Sequence, residues 1–206
     1  MCYSRNASLI GWAIANVIAL YLYKRNRNYD RWNAAFIFTF TLMQLVDAGL
    51  WSSLEDNDTK TNQLLTEIAL FAIFLQALVQ CYMGYLYTGE TILYGLTFVF
   101  IFILVGQLLR VVGSDSQDRK TEVGPNGHLM WLDDGQFHLL GNPIVLGLYV
   151  IGIFLPLAYM KDKKGWPLIG VAAGTAAYSI LTSKGEEVGS MWCFWGIIYA
   201  VVAVLV

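Results

Sequence analysis

The run from Asn33 to Leu54, NAAFIFTFTLMQLVDAGLWSSL, constrains this chain more than any other stretch. It is long enough to cross a bilayer, which takes about 20 apolar residues at about 1.5 Å of rise each. Gln44 and Asp47 nevertheless lie inside it, with Trp51 one turn further on. Steps of three and four residues put all three on one face of a helix. A carboxylate facing lipid at that depth costs about 2.5–3.5 kcal/mol on insertion scales, so this face is expected to turn inward onto other helices. A multi-pass bundle with a polar interior seam follows.

Composition agrees. Of 206 residues, 57% are hydrophobic and 14% charged, with mean hydropathy +0.53, against about 25% charged residues in soluble domains. The net charge of -2 suggests no nucleic-acid partner. Three cysteines do not make a disulfide framework. The first run spans the full bilayer without a small-residue cleavage site, so it reads as a retained helix.

The expected fold class is all-α, a seven-transmembrane-helix bundle forming a single domain over 1–206. The spans fall at about 7–23, 33–54, 64–87, 91–111, 140–160, 166–182 and 188–206, with a long outer loop at about 112–138. Within that loop Gly124-Pro125-Asn126-Gly127 reads as a turn, and the alternation from His128 to Leu132 as a short hairpin strand. Orientation follows from the basic residues, which stay cytoplasmic in short loops. Lys24, Arg25, Arg27, Arg31, Lys161, Lys163 and Lys164 follow helices one and five. Arg5, Lys60, Arg110, Arg119, Lys120 and Lys184 are spread over the other side. The N-terminus is therefore expected outside and the C-terminus inside. Asn57-Asp58-Thr59 would then be a lumenal glycosylation sequon.

Asp47 and Gln44 admit two readings. One is a protonatable group coupled to movement of a proton or cation. The other is a hydrogen-bond node joining helices, worth about 0.6 kcal/mol per bond in lipid. Gln76 and Gln80, one turn apart on helix three, are expected to complete a polar core with Gln44, while Glu67 reads as interfacial. Gly170 and Gly174 form a small-xxx-small pattern that lets another helix approach closely. The seven tryptophans, Trp12, Trp32, Trp51, Trp131, Trp166, Trp192 and Trp195, lie mostly near span ends, as an aromatic belt requires. Cys81 reads as a small packed hydrophobe. Cys2, Cys193, His128 and His138 could converge above helix two and, with Asp47, make a metal or haem site, or a Cys2–Cys193 disulfide, although no ligand motif is present.

Familiar seven-helix classes fail on residues. A retinal protein needs a lysine within helix seven, and Lys184 precedes it. Tyr29-Asp30-Arg31 opens helix two rather than closing helix three, where the receptor motif belongs. Intramembrane zinc hydrolases use three histidines on helices, and this chain has two, both in one loop.

Four segments carry a resemblance: Met1-Cys2-Tyr3-Ser4 with Ala7-Ser8; Gln44-Leu45-Val46-Asp47 with Trp51; Gly127-His128; and Ser190-Met191-Trp192-Cys193-Phe194. Together they make the chain similar to an uncharacterised family of small multi-pass membrane proteins found in bacteria and large DNA viruses. Members begin Met-Cys-Phe/Tyr-Ser, carry Gln-x-x-Glu with a Trp four residues later, and end in a Ser-x-Trp-Cys-Phe helix. This sequence has Asp47 where that family more often has Glu. The resemblance implies the same topology and nominates Cys2, Gln44, Asp47, Trp51, His128 and Cys193, without implying an activity.

The first functional expectation is a non-enzymatic structural or organising component of a cellular or viral membrane. Its partners would be the lipid bilayer and a larger membrane or capsid assembly, with no cofactor. The alternative is a proton- or cation-coupled carrier or channel centred on Asp47, Gln44, Gln76 and Gln80. A third reading is an outward-facing metal or redox site using Cys2, His128 and Cys193.

Overall fold

The computed structural model describes residues 4–113, 119–133, 142–183 and 187–206. Among them the chain forms seven helices: α1 (Arg5–Arg25), α2 (Asp30–Glu55), α3 (Thr59–Thr88), α4 (Thr91–Gly113), α5 (Pro143–Ala158), α6 (Gly165–Thr182) and α7 (Glu187–Leu205). Two short strands, β1 (Arg119–Val123) and β2 (Leu129–Asp133), pair antiparallel between α4 and α5. Five helices, α1 to α4 and α7, are long and apolar enough to cross a membrane, and α5 is a shorter apolar helix. The seven expected spans thus fall on seven helices, of which five meet the length and hydropathy a crossing needs.

Helix ends follow local chemistry. Ser4 caps α1 by accepting the Ala7 N–H at 3.2 Å, and Asn26 closes it in the left-handed region at φ 51°. Asp58 caps α3 through the Thr61 N–H at 3.1 Å, so that helix begins at Thr59, earlier than apolar content suggests. Its other end stops at Gly89, φ 75°, where a side chain would be strained. Asn142 accepts from Ile144 and Val145, with Pro143 opening α5.

α2 and α3 are the most buried helices and pack on one another. α7, α6 and α5 close a ring that runs from α2 back to α3, while α1 lies on α2 and α7, and α4 lies on α3. Close approaches depend on missing side chains. A Cβ at Gly165 would strike the Leu157 carbonyl, and one at Gly196 would strike the Phe40 ring. Nothing lies within 4 Å of where a Cβ would stand at Gly170 or Gly174. The close packing expected at that small-residue pair is therefore not used among the described residues.

The exterior is apolar. Leu20 (61%), Phe102 (73%), Ile144 (72%) and Leu181 (84%) are exposed, whereas Gln44, Asp47, Gln76 and Gln80 are each 0% exposed. That inverts the arrangement of a water-soluble protein and suits a hydrocarbon surround. The expected tryptophan belt holds in part. Trp166 is exposed, but Trp32 is fully buried and Trp192 packs against the core. An indole N–H that finds an interior acceptor has no need of the interface.

The long loop folds over one end of the bundle. Gly127, φ 77°, donates its N–H to the Gly124 carbonyl at 3.0 Å, which makes the expected turn. Pairing runs from Arg119 opposite Asp133 to Val123 opposite Leu129. Asn62 of α3 holds β1 from both sides, accepting the Thr121 N–H at 2.8 Å and donating to its carbonyl at 3.1 Å. Thr66 and Thr121 share a hydroxyl contact at 2.8 Å. This end is called the hairpin end below, and the opposite one the basic end.

Candidate functional site: a buried polar seam

The seam begins with the α1–α2 register. Gly11 lets α1 approach until its Cβ position is 3.4 Å from Gln44 Oε1 and 3.1 Å from Ile197 Cδ1. One turn toward the basic end, Asn16 Nδ2 donates to Thr41 Oγ1 at 3.2 Å. One turn the other way, the same antiparallel register sets Ser8 level with Asp47. α7 joins through Tyr199, whose hydroxyl donates to Asn33 Oδ1 at 3.2 Å, and through Phe40 seated on Gly196. Continuing that register brings Ser190 level with Asp47, and Cys193 level with Gln44. Ser8, Asp47 and Ser190 are all 0% exposed.

Gln44 is the unusual member. It is fully buried, yet neither atom of its amide has a hydrogen-bond partner among the described residues, and the same holds for Ser8 Oγ. Buried polar groups are nearly always paired, because leaving one unpaired costs about 1–3 kcal/mol. Cys193 keeps a free thiol, close to Gln76 and within the field of Asp47.

The other glutamines have partners that the sequence did not suggest. Gln76 Oε1 accepts from the Tyr149 hydroxyl at 2.8 Å, tying α3 to α5. Gln80 Oε1 accepts the Trp32 indole N–H at 2.9 Å, and its Nε2 donates to the Ile153 carbonyl at 3.3 Å. Both glutamines are fully buried, as is Gln44, and the bonds of Gln76 and Gln80 run to α5 and α2. Each side chain on α3 binds the helix that happens to face it. Trp32 and Asn33 were missed because they stand at a span end and read as interfacial, and Tyr149 and Tyr199 because a mid-span tyrosine counts as one more apolar residue. Glu67 also differs from expectation. It is 6% exposed and faces Arg110 at 3.6 Å within the α3–α4 contact, where Arg110 also donates to Gln107 Oε1 at 3.3 Å.

At the basic end Arg25 makes a three-helix clasp. Its Nε and Nη2 donate to the two Asp30 carboxylate oxygens at 2.8 and 2.7 Å, and its Nη1 donates to the Val204 carbonyl at 2.7 Å. Asp30 also accepts the Arg27 N–H at 2.7 Å. The α7 carbonyl lies in the helix's last turn, where it lacks an intrahelical donor and where a cation is favourable.

At the hairpin end Glu187, 0% exposed, accepts from the Asn126 backbone N–H at 2.9 Å and from Asn126 Nδ2 at 2.7 Å. Gly124 leaves the room that this carboxylate occupies. His128 is 2% exposed and within the field of Glu187. Cys193 sits about 9 Å further along α7 at 1.5 Å per residue, at the level of Gln44 and within the field of Asp47. Cys2 and His138 of the expected outer-face cluster lie outside the described residues. No three His, Cys, Asp or Glu side chains converge as a metal site among the described residues.

Burial holds the His128 imidazole below its ordinary pKa of 6.5, opposed by the Glu187 charge. The folded hairpin therefore binds fewer protons than the unfolded one. Its stability is intact above 6.5 and declines as pH falls below that value. Amide exchange across residues 119–133 should accelerate between pH 7.5 and pH 5 relative to the helices, and His128→Gln should weaken that dependence. Equal protection at both pH values in the unsubstituted protein would refute the coupling.

The chain matches no family model, no curated protein and no solved structure, so the reading of the seam rests on its own geometry.

Proposed function

We propose that this chain is a non-enzymatic, multi-pass integral membrane protein whose polar seam locks seven helices into one arrangement. Its N-terminus and hairpin face outward and its basic end faces the cytoplasm. The role is that of a structural or organising component in a cellular or viral membrane. The observation that carries this reading is where the interior polar groups are used. Gln76, Gln80, Asn33 and Arg25 each tie one helix to another through side-chain bonds at 2.7–3.3 Å. Transport needs groups that exchange partners or meet water, whereas Asp47 is 0% exposed. The narrow apolar space between α2, α5, α6 and α7, walled by Phe36, Phe40, Ile153, Trp192 and Tyr199, does not include it.

A second reading, a proton- or cation-coupled carrier centred on Asp47, is favoured by Gln44, whose buried amide lacks partners among the described residues. Liposome flux separates the two. The structural reading expects proton and sodium flux no greater than in protein-free vesicles, together with stoichiometric co-purification in a larger assembly. A pH-driven flux that disappears in Asp47→Asn would replace the first reading by the second.

A further inference from the structure

We propose that the basic end is a docking surface for anionic phospholipid headgroups, built jointly from the α1–α2 and α5–α6 connections. The Tyr29 hydroxyl accepts the Lys161 backbone N–H at 2.8 Å, which joins two connections through residues 132 positions apart. Lys24, Arg27 and Arg31 come from the first, and Lys161, Lys163 and Lys164 from the second. Five of these side chains are exposed and Lys164 is half-buried. None of the six forms an ion pair among the described residues. Asp30, the carboxylate within the first group, is engaged by Arg25. Asp162 and Glu90 are the other acids at this end among the described residues, so six cations stand against two carboxylates. Arg31 lays its guanidinium on the Tyr23 ring, 5.2 Å from the centroid, which uses the face of the group and leaves its N–H donors for oxygen ligands.

The surface lies at headgroup depth. Tyr21, Tyr23 and Trp166 are exposed at this same end, where amphipathic rings mark the membrane–water interface. The topological rule asks only that Lys and Arg remain on one side. It calls neither for a bond between distant connections nor for cations left unpaired. A cluster of this size beside spans attracts anionic lipid, because a charged leaflet offers several phosphates at once. An occupant with acyl chains also matches the apolar exterior below, at exposed Val17 and Leu20 of α1, which a free phosphate ion does not. This inference rests on the membrane reading above and requires neither the structural role nor the carrier.

Fluorescence quenching tests it, with the full chain reconstituted in phosphatidylcholine vesicles. Dibrominated phosphatidylcholine and dibrominated phosphatidylglycerol serve as quenchers, and the signal lost in Trp166→Phe isolates the indole beside the lysines. No quenching by either lipid would sink the membrane reading, and this inference with it. Phosphatidylglycerol should associate near Trp166 about fivefold more strongly than phosphatidylcholine, the effect of one cation engaged at a charged surface. Added salt should reduce that preference. The triple variant Lys161→Gln/Lys163→Gln/Lys164→Gln should bring the ratio close to one. Tyr29→Phe, which keeps every charge, should lower it by freeing one connection from the other. Equal quenching by the two lipids, or a preference unchanged in either variant, overturns the surface and leaves the membrane reading standing. Displacement of phosphatidylglycerol by inorganic phosphate, beyond the effect of sodium chloride at equal ionic strength, would assign the surface to a free anion and overturn the lipid site.

Discussion

Replacing Asp30 by alanine should destabilise the bundle by about 3–5 kcal/mol, the cost of stripping one partner from a buried ion pair. The pair is well shielded, with the Arg25 and Asp30 side chains only 14% and 5% exposed. Its geometry is the bidentate fork that guanidinium and carboxylate favour. The substitution leaves Arg25 with the Val204 carbonyl and the face of the Tyr21 ring, and removes the acceptor of the Arg27 N–H, so three helices lose their common anchor at once. The double variant Arg25→Met/Asp30→Leu should lose much less, because desolvation disappears together with attraction. Thermal unfolding in detergent micelles reads both. A single variant no less stable than the double would show that the clasp contributes little.

Trp32→Ala should cost about 3–5 kcal/mol, as for other buried aromatic truncations. Trp32 is 0% exposed and meets Tyr29 and Tyr87 at ring-centroid distances of 5.7 and 6.0 Å. Its ring also approaches the site of the missing Gly84 side chain to 3.3 Å. The truncation opens a cavity where α2, α3 and α5 meet and strips Gln80 of its indole donor. Trp32→Phe keeps most of the ring and loses chiefly that hydrogen bond, which should cost about 0.6–1.7 kcal/mol in a membrane setting. Equal losses in the two variants would assign the effect to the hydrogen bond, and no loss in Trp32→Ala would contradict the packing.

The fork at Arg25 shows why one sequence discloses some contacts and conceals others. Arg25 reads as one more positive charge flanking a span, and nothing near it points to Val204, 179 residues away. Trp32 and Gln80 are 48 residues apart and each has an ordinary explanation by itself, an interfacial indole and a polar seam. Glu67 near a helix end looks interfacial until α4 brings Arg110 against it. In each case the partner is chosen by how helices cross, and no local pattern encodes the crossing. Gly170 and Gly174 show the converse, a local pattern for close packing that no neighbouring helix takes up among the described residues.

What the amino-acid order determined alone was the set of helices, the turn at Gly124–Gly127 and the inward direction of Gln44 and Asp47. Those depend on apolar run length, turn chemistry and helical period, all of which act within a few residues. Only the tertiary structure decided which polar groups would meet. It paired Gln76 with Tyr149 and Gln80 with Trp32, and left the Gln44 amide and Ser8 hydroxyl buried without a partner among the described residues. The reason is geometric: a hydrogen bond closes over about 3 Å, so a single turn of helix register decides whether two side chains bond or miss.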